Sequence, residues 1–210
     1  MSFPYGGYTG RLLRVNLTTA EIAVEDLDPD VCRAFIGGPG IAARVLFQEV
    51  PPFIDSFDPR NRLIIASGPL TGAGVDGAVT ASVVTVSTLS NGAVATNMNG
   101  TLALKLKACG YDAIILQGTS RRWIYLHIDD RGQARLLDAN DLLGMDTLQT
   151  EDILRARYGD QAPRRMDATV SVACIGPAGE NLVRFAGFYG CQGHSASKGG
   201  SGAVLGSKRV

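Results

Sequence analysis

The chain has 210 residues, enough for one large domain with a sizeable core. Apolar residues make up 45% and charged residues 19%, the composition of an ordinary globular protein rather than a disordered one. Its 20 basic and 20 acidic residues cancel, which removes the electrostatic reason to expect nucleic acid or an anionic membrane as partner.

The N-terminus, Met1-Ser2-Phe3-Pro4-Tyr5, shows no basic start followed by an apolar stretch, so no signal peptide is expected. No apolar run approaches the roughly 20 residues of a membrane helix. The four cysteines (Cys32, Cys109, Cys174, Cys191) are scattered and form no C-x-x-C pair. Neither a zinc knuckle nor a local iron–sulfur ligand run can be built from them, and reduced, buried thiols in a cytoplasmic protein are expected.

In chain order, residues 11–17 alternate apolar and polar and predict a strand, followed by a turn at Thr18-Thr19 and a second strand over 21–25. Asp28 and Pro29 open a predicted helix, with Val31 and Phe35 on one face and Gly37 ending it. A second helix over 41–49 is stopped by Pro51-Pro52. Residues 63–67 read as a buried strand running into Gly68-Pro69, and 81–87 as another. A glycine-rich stretch, 90–100, then precedes a helix that Asn99 can cap, carrying Leu102, Leu106 and Cys109. Gly110 closes that helix, and residues 111–116 return as a strand.

The second part says much of this again. A hairpin spans 123–128 and 133–137. A helix over 148–158 has Asp146 as cap, Gln149 three residues on and Gly159 as its stop. A strand over 170–175 enters Gly176-Pro177, a β-rich stretch covers 182–188, and a second glycine-rich stretch covers 190–202. Strand, turn, strand, helix, strand and Gly-Pro recur in one order. The expectation is an α+β fold: a duplicated unit of hairpin, helix and strands forming two sheets. It is one domain over 1–210, with repeats at about 8–118 and 119–210 that share a core.

Chemistry, if any, falls on the two glycine-rich stretches. Backbone N–H groups left open at a helix start, made approachable by glycine, suit phosphate, with Asn97 adding an amide and Lys198 a charge. The same stretches can equally be polar turns, since neither matches a phosphate loop or dinucleotide fingerprint. His127 reads as structural, His194 as a candidate proton carrier beside Ser195, and Glu180-Asn181 as a turn-and-cap pair. The doublets Arg121-Arg122 and Arg164-Arg165 read as solvated.

Six collinear motifs resemble one family: residues 11–17, Gly37-Gly38-Pro39-Gly40-Ile41-Ala42, Gly68-Pro69-Leu70-Thr71-Gly72, Gly110-Tyr111-Asp112-Ala113-Ile114, the stretch 175–181 and the stretch 199–208. They look like the N-terminal domain of the aldehyde:ferredoxin oxidoreductases. The resemblance implies a module holding a tungsten- or molybdenum-bis-pterin, in enzymes that oxidise aldehydes and pass electrons to ferredoxin. It places cofactor contacts on Thr80, Asn97, Asn99, Gly100, Ser195, Ala196, Lys198 and Gly199. Thr80 and Ser195 stand where the family has phosphate-binding arginines, Lys198 replaces a third, and Asn99 stands where a glycine is expected. The family's 4Fe-4S cluster is held by later domains and is not bindable by this chain. Activity is therefore expected to need a partner carrying the iron–sulfur domains. A non-catalytic scaffold that keeps the fold, or a binder of some other phosphate-bearing molecule, are the alternatives.

Overall fold

Three apolar runs, Leu63–Ser67, Ala81–Val86 and Ala113–Gln117, lack a polar face, and this dictates a sheet covered on both sides. The computed structural model, which describes residues 3–162, 169–191 and 193–210, places these runs as β3, β4 and β6 inside one six-stranded sheet. The N-terminal hairpin supplies β1 (Arg11–Asn16) and β2 (Glu21–Asp26), and β5 is Ala93–Met98. The order is β2-β1-β6-β3-β4-β5, with β1 and β6 parallel and the other pairs antiparallel.

Alternate residues of each strand feed two cores. Leu12, Ile64, Val84 and Ile115 meet α1 (Pro29–Phe35) and α2 (Pro39–Glu49) on one face. Leu13, Ile65, Val83 and Ile114 face the other way, toward α3 (Leu102–Ala108) and the second half of the chain. That second core also takes in Ile175, Phe188, Ala196, Val204 and Leu205.

The second half supplies the hairpin β7 (Ile124–Ile128) and β8 (Ala134–Asp138), then α4 (Thr147–Arg157). A three-stranded antiparallel sheet follows, β11-β10-β9, from Ala173–Cys174 (β9), Phe188–Gly190 (β10) and His194–Ala196 (β11). A short helix, α5 (Pro177–Glu180), starts at the Gly-Pro turn, and α6 (Ser201–Lys208) closes the chain. The order of the first half is thus repeated: hairpin, helix, strand, Gly-Pro, two strands, helix. The repeated strands divide into a hairpin and a separate three-stranded sheet.

Local signals account for the helix starts. Asp28 accepts the Asp30 amide at 2.8 Å. Asp146 accepts the Leu148 and Gln149 amides while Gln149 returns a bond to the Asp146 amide, a complete capping box. Three expectations are corrected. The glycine-rich stretch 90–100 contains strand β5, because hydrogen bonding to β4 outweighs its weak strand composition. Asn99 does not cap α3. Thr101 sits at that position, and the Asn99 side chain bonds elsewhere. The stretch 182–188 is mostly turns, and its strand begins only at Phe188. The doublet Arg164-Arg165 lies outside the described residues.

Lys208 ends α6 fully buried and fixes the second half to the first. Its Nζ donates to the carbonyls of Asn61 at 2.7 Å and Gly118 at 3.1 Å. Burial, reinforced by the Arg62 charge, holds its pKa down to about 7. The unfolded chain therefore keeps a proton that the folded chain releases between pH 7 and the ordinary lysine value of about 10.4, so stability rises with pH across that window. It is complete above the window and lost as pH falls toward 7. Urea unfolding at pH 7, 8.5 and 10 should show this rise, and Lys208→Met should flatten it.

Candidate functional site

The hairpin register of β4 and β5 sets Ser82 opposite Asn97, and one step further Thr80 faces Asn99. The Ser82 hydroxyl donates to Asn97 Oδ1 at 2.9 Å, and the Thr80 hydroxyl donates to Asn99 Oδ1 at 2.8 Å. With each amide oxygen held, both NH₂ groups are left as donors without a partner among the described residues. Asn97 and Asn99 are exposed, Thr80 half-buried. Gly38, at the start of α2, lies beside Ser82: a Cβ there would stand 3.3 Å from the Ser82 Oγ. The positive end of an 11-residue helix therefore lies near the two amides.

The second glycine-rich stretch reaches the same place from the other half. β11 packs against β5. At one end Gly100, with φ +103°, leaves room for Cys191 and His194; a Cβ there would fall 2.8 Å from the Cys191 Cβ and 3.2 Å from the His194 Cδ2. At the other end Gly199 lies on Val94, and its carbonyl accepts the Thr88 amide at 3.1 Å. Between these anchors residues 195–198 run beside 95–99. Ser195 is half-buried and Lys198 exposed, with no partner among the described residues. Ala196 is fully buried, so its side chain belongs to the core, and its carbonyl is taken by the Ser201 hydroxyl at 2.9 Å. Gln192 lies outside the described residues.

The eight expected contact residues thus fall on the β4–β5 end and the neighbouring stretch 195–199, with Gly100, Ala196 and Gly199 buried and the other five at least partly exposed. Side-chain donors come from Asn97, Asn99, Ser195 and Lys198, while Gly100 and Gly199 permit close packing of the strands. The helix starts contribute less than their glycines suggest. The Thr101 amide goes to the Cys191 Sγ at 3.2 Å, and the Gly202 amide to the Ala186 carbonyl at 2.9 Å. Sequence reasoning missed Ser82 and the α2 start. Ser82 is detectable only once 93–98 is read as a strand paired with β4.

The other candidates are structural. His127 stacks on Tyr158 with ring centroids 4.2 Å apart. Glu180 accepts the Gly144 amide at 3.0 Å, and Asn181 donates to the Pro177 carbonyl at 2.8 Å. All four cysteines are free. Burial, with Glu151 and Asp146 adding, pushes the Cys174 thiol up to about 12. Burial likewise raises Cys32 to about 11, with Asp112 adding. No group of three or more His, Cys, Asp or Glu side chains placed to hold a metal occurs among the described residues.

The two glycine-rich stretches, one from each half of an α+β fold with a repeated element order, thus meet at the β5 edge of the six-stranded sheet. Residues 12–210 match the model of the aldehyde ferredoxin oxidoreductase N-terminal domain, and the chain belongs to that family. It is 38% identical, over 98% of its length, to the tungsten-containing aldehyde ferredoxin oxidoreductase of Pyrococcus furiosus, covering 33% of that protein. It is 35% identical, over 97%, to the aliphatic sulfonate oxidoreductase, WOR-like subunit, of the same organism, again covering 33%. Among solved structures it is similar to the active-site complex BamBC of benzoyl-coenzyme A reductase with 1,5-dienoyl-CoA. The TM-score is 0.90 and the identity 35%, covering 97% of this chain and 30% of that one. The chain therefore spans about a third of the relatives it matches. Among the described residues no helix is long and apolar enough to cross a membrane.

Proposed function

We propose that this chain is the pterin-cofactor-binding domain or subunit of a tungsten or molybdenum oxidoreductase of the aldehyde:ferredoxin type. In this reading it works in the cytoplasm with a partner carrying the iron–sulfur domains and passes electrons to ferredoxin. The observation that carries the reading is the pair of clamped amides, Asn97 and Asn99, with the β11 stretch that holds Ser195 and Lys198 packed against their strand. Every side chain in that set offers a donor, and the set carries no carboxylate, as the phosphate oxygens of a pterin cofactor require. The relatives' names add support. One is named for an aldehyde, one for a sulfonate and one for benzoyl-CoA, so the third they share with this chain serves something other than substrate choice.

When bound, the metal–pterin would supply the two-electron redox chemistry. Asn97 and Asn99 would orient it through their NH₂ groups, Lys198 would neutralise phosphate charge, and Gly100 would let β5 and β11 close beneath it. The reaction's substrate would lie with the partner's domains.

Metal analysis and pterin fluorescence on the chain co-expressed with its genomic neighbours test the reading. Both signals are expected, and absence of both sinks it. The double variant Asn97→Leu, Asn99→Leu should retain less than about a tenth of the bound pterin, since each lost bond to a charged group costs about 1.5–3 kcal/mol. A second reading, a scaffold that no longer binds the cofactor, is favoured by Thr80, whose hydroxyl is spent on Asn99 where the family has an arginine. Tight pterin binding by the unmodified chain would end it.

A further inference from the structure

Helix α2 starts beside Ser82 and runs for 11 residues, about 16 Å, away from Asn97 and Asn99. Where it stops, the chain turns through Val50, Pro51, Pro52 and Phe53 before Ile54 is buried. Phe47 in the second half of the helix is 88% exposed and Phe53 wholly so. They are the two most exposed large apolar side chains among the described residues. Phe53 also takes φ +62°, which a bulky residue rarely does, so the backbone is strained at the point where the ring is put into water.

The two rings border a groove of about 480 Å³. Its lining includes two small exposed side chains, Ala43 on α2 and Ala93 at the start of β5. Among the described residues Asn91 is its only polar lining side chain, and none is charged. Exposed Gln48 and Asp55 follow Phe47 and Ile54 in the chain, as in interfaces with an apolar centre and a polar rim.

A projecting ring and a recess lined by alanine thus share one uncharged patch. That combination fits a second copy of the same patch, since in a two-fold dimer each copy must offer both halves of the contact. An unrelated partner would need only one of the two. The area is of the right order as well. Two aromatic rings cover about 300–500 Å², and a standard interface takes about 800 Å² from each partner. The groove walls and Pro52 supply the remainder.

We propose that this patch is a two-fold contact between copies of this chain, with Phe53 of each copy seated in the groove over Ala43 and Ala93 of the other. Ala93 lies at the opposite end of β5 from Asn97, so the contact does not depend on cofactor binding.

Sedimentation of the whole chain tests this with a charge pair. The unmodified chain should be a dimer at micromolar concentration. Phe53→Glu and Ala93→Lys should each weaken the dimer at least tenfold while circular dichroism stays unchanged. Mixing the two variants should restore dimers, because one of the two ring-and-groove contacts then becomes Glu against Lys and the other stays native. Where a charged variant does not fold, Phe47→Ser takes its place and should weaken the dimer by a similar factor. A chain that stays monomeric at millimolar concentration overturns the proposal. So does a dimer that both variants leave intact, or a mixture that does not pair. Assembly only with a co-expressed neighbour, lost in Phe53→Glu, would make the occupant a different protein and overturn it too.

Discussion

Replacing Asp112 with alanine should lower stability by about 3–5 kcal/mol, the cost of breaking a buried ion pair and leaving one partner behind. Asp112 is 2% exposed, just ahead of β6. Its carboxylate accepts the Gly10 amide at 2.8 Å, the Thr9 amide at 3.0 Å and the Thr9 hydroxyl at 3.0 Å. The Lys107 ammonium lies 2.9 Å away and is itself almost buried. One side chain thus ties the approach to β1 to the end of α3. Alanine would leave a hydroxyl and two backbone amides without their acceptor and remove the counter-charge of Lys107, whose ammonium keeps only the Gly7 and Gly68 carbonyls. A fall of about 2–4 °C in thermal midpoint accompanies each kcal/mol in a chain of this size. Asp112→Asn keeps one acceptor and should lose clearly less. Equal stability of wild type and Asp112→Ala in urea would show that the cluster contributes nothing.

Replacing Gly206 with alanine tests two physical rules against each other. Helix propensity alone predicts a gain of about 1 kcal/mol in the middle of α6. Packing predicts the reverse. A Cβ on Gly206 would stand 2.0 Å from the Gly179 carbonyl oxygen, and one on Gly202 would stand 2.1 Å from the Gly187 carbonyl oxygen. Both obstacles are backbone, which cannot rotate away. Forcing even small extra volume into a packed core costs about 1–3 kcal/mol, so a net loss of about 2 kcal/mol is expected, measured by chemical denaturation. A stabilised Gly206→Ala variant would mean that α5 and α6 are not held this closely.

The same glycines explain why α6 escaped sequence reading. Ser201–Lys208 has two glycines in eight residues and no side-chain cap, so it is a poor helix by local rules. It forms because the glycines let two backbones approach, and that information lies at Gly179 and Gly187. Strand β5 was hidden for a related reason. Its Ala93, Ala95 and Asn97 are weak strand material, and the register with β4 gives it order. By contrast, the two hairpins, the Asp28-Pro29 start and the Asp146–Gln149 box were legible, since each is a local signal. The candidate site follows the same division. Its residue identities came from resemblance, and its convergence follows from the Gly100 and Gly199 contacts between the halves. The orientation of the Asn97 amide depended on Ser82, a residue that carries no signal until its strand partner is known.

The Lys208 anchor has a consequence for biosynthesis. Its partner carbonyl at Asn61 lies 147 positions earlier in the chain. At about 5–20 residues per second, the ribosome exposes Asn61 roughly 7–30 s before Lys208 is made. Through that interval the apolar face of the sheet that α6 and the second half will cover stays open to the cell. Contacts of such long range also slow folding itself. A nascent chain of this kind is a natural client for chaperones that shield apolar sheet surfaces during translation.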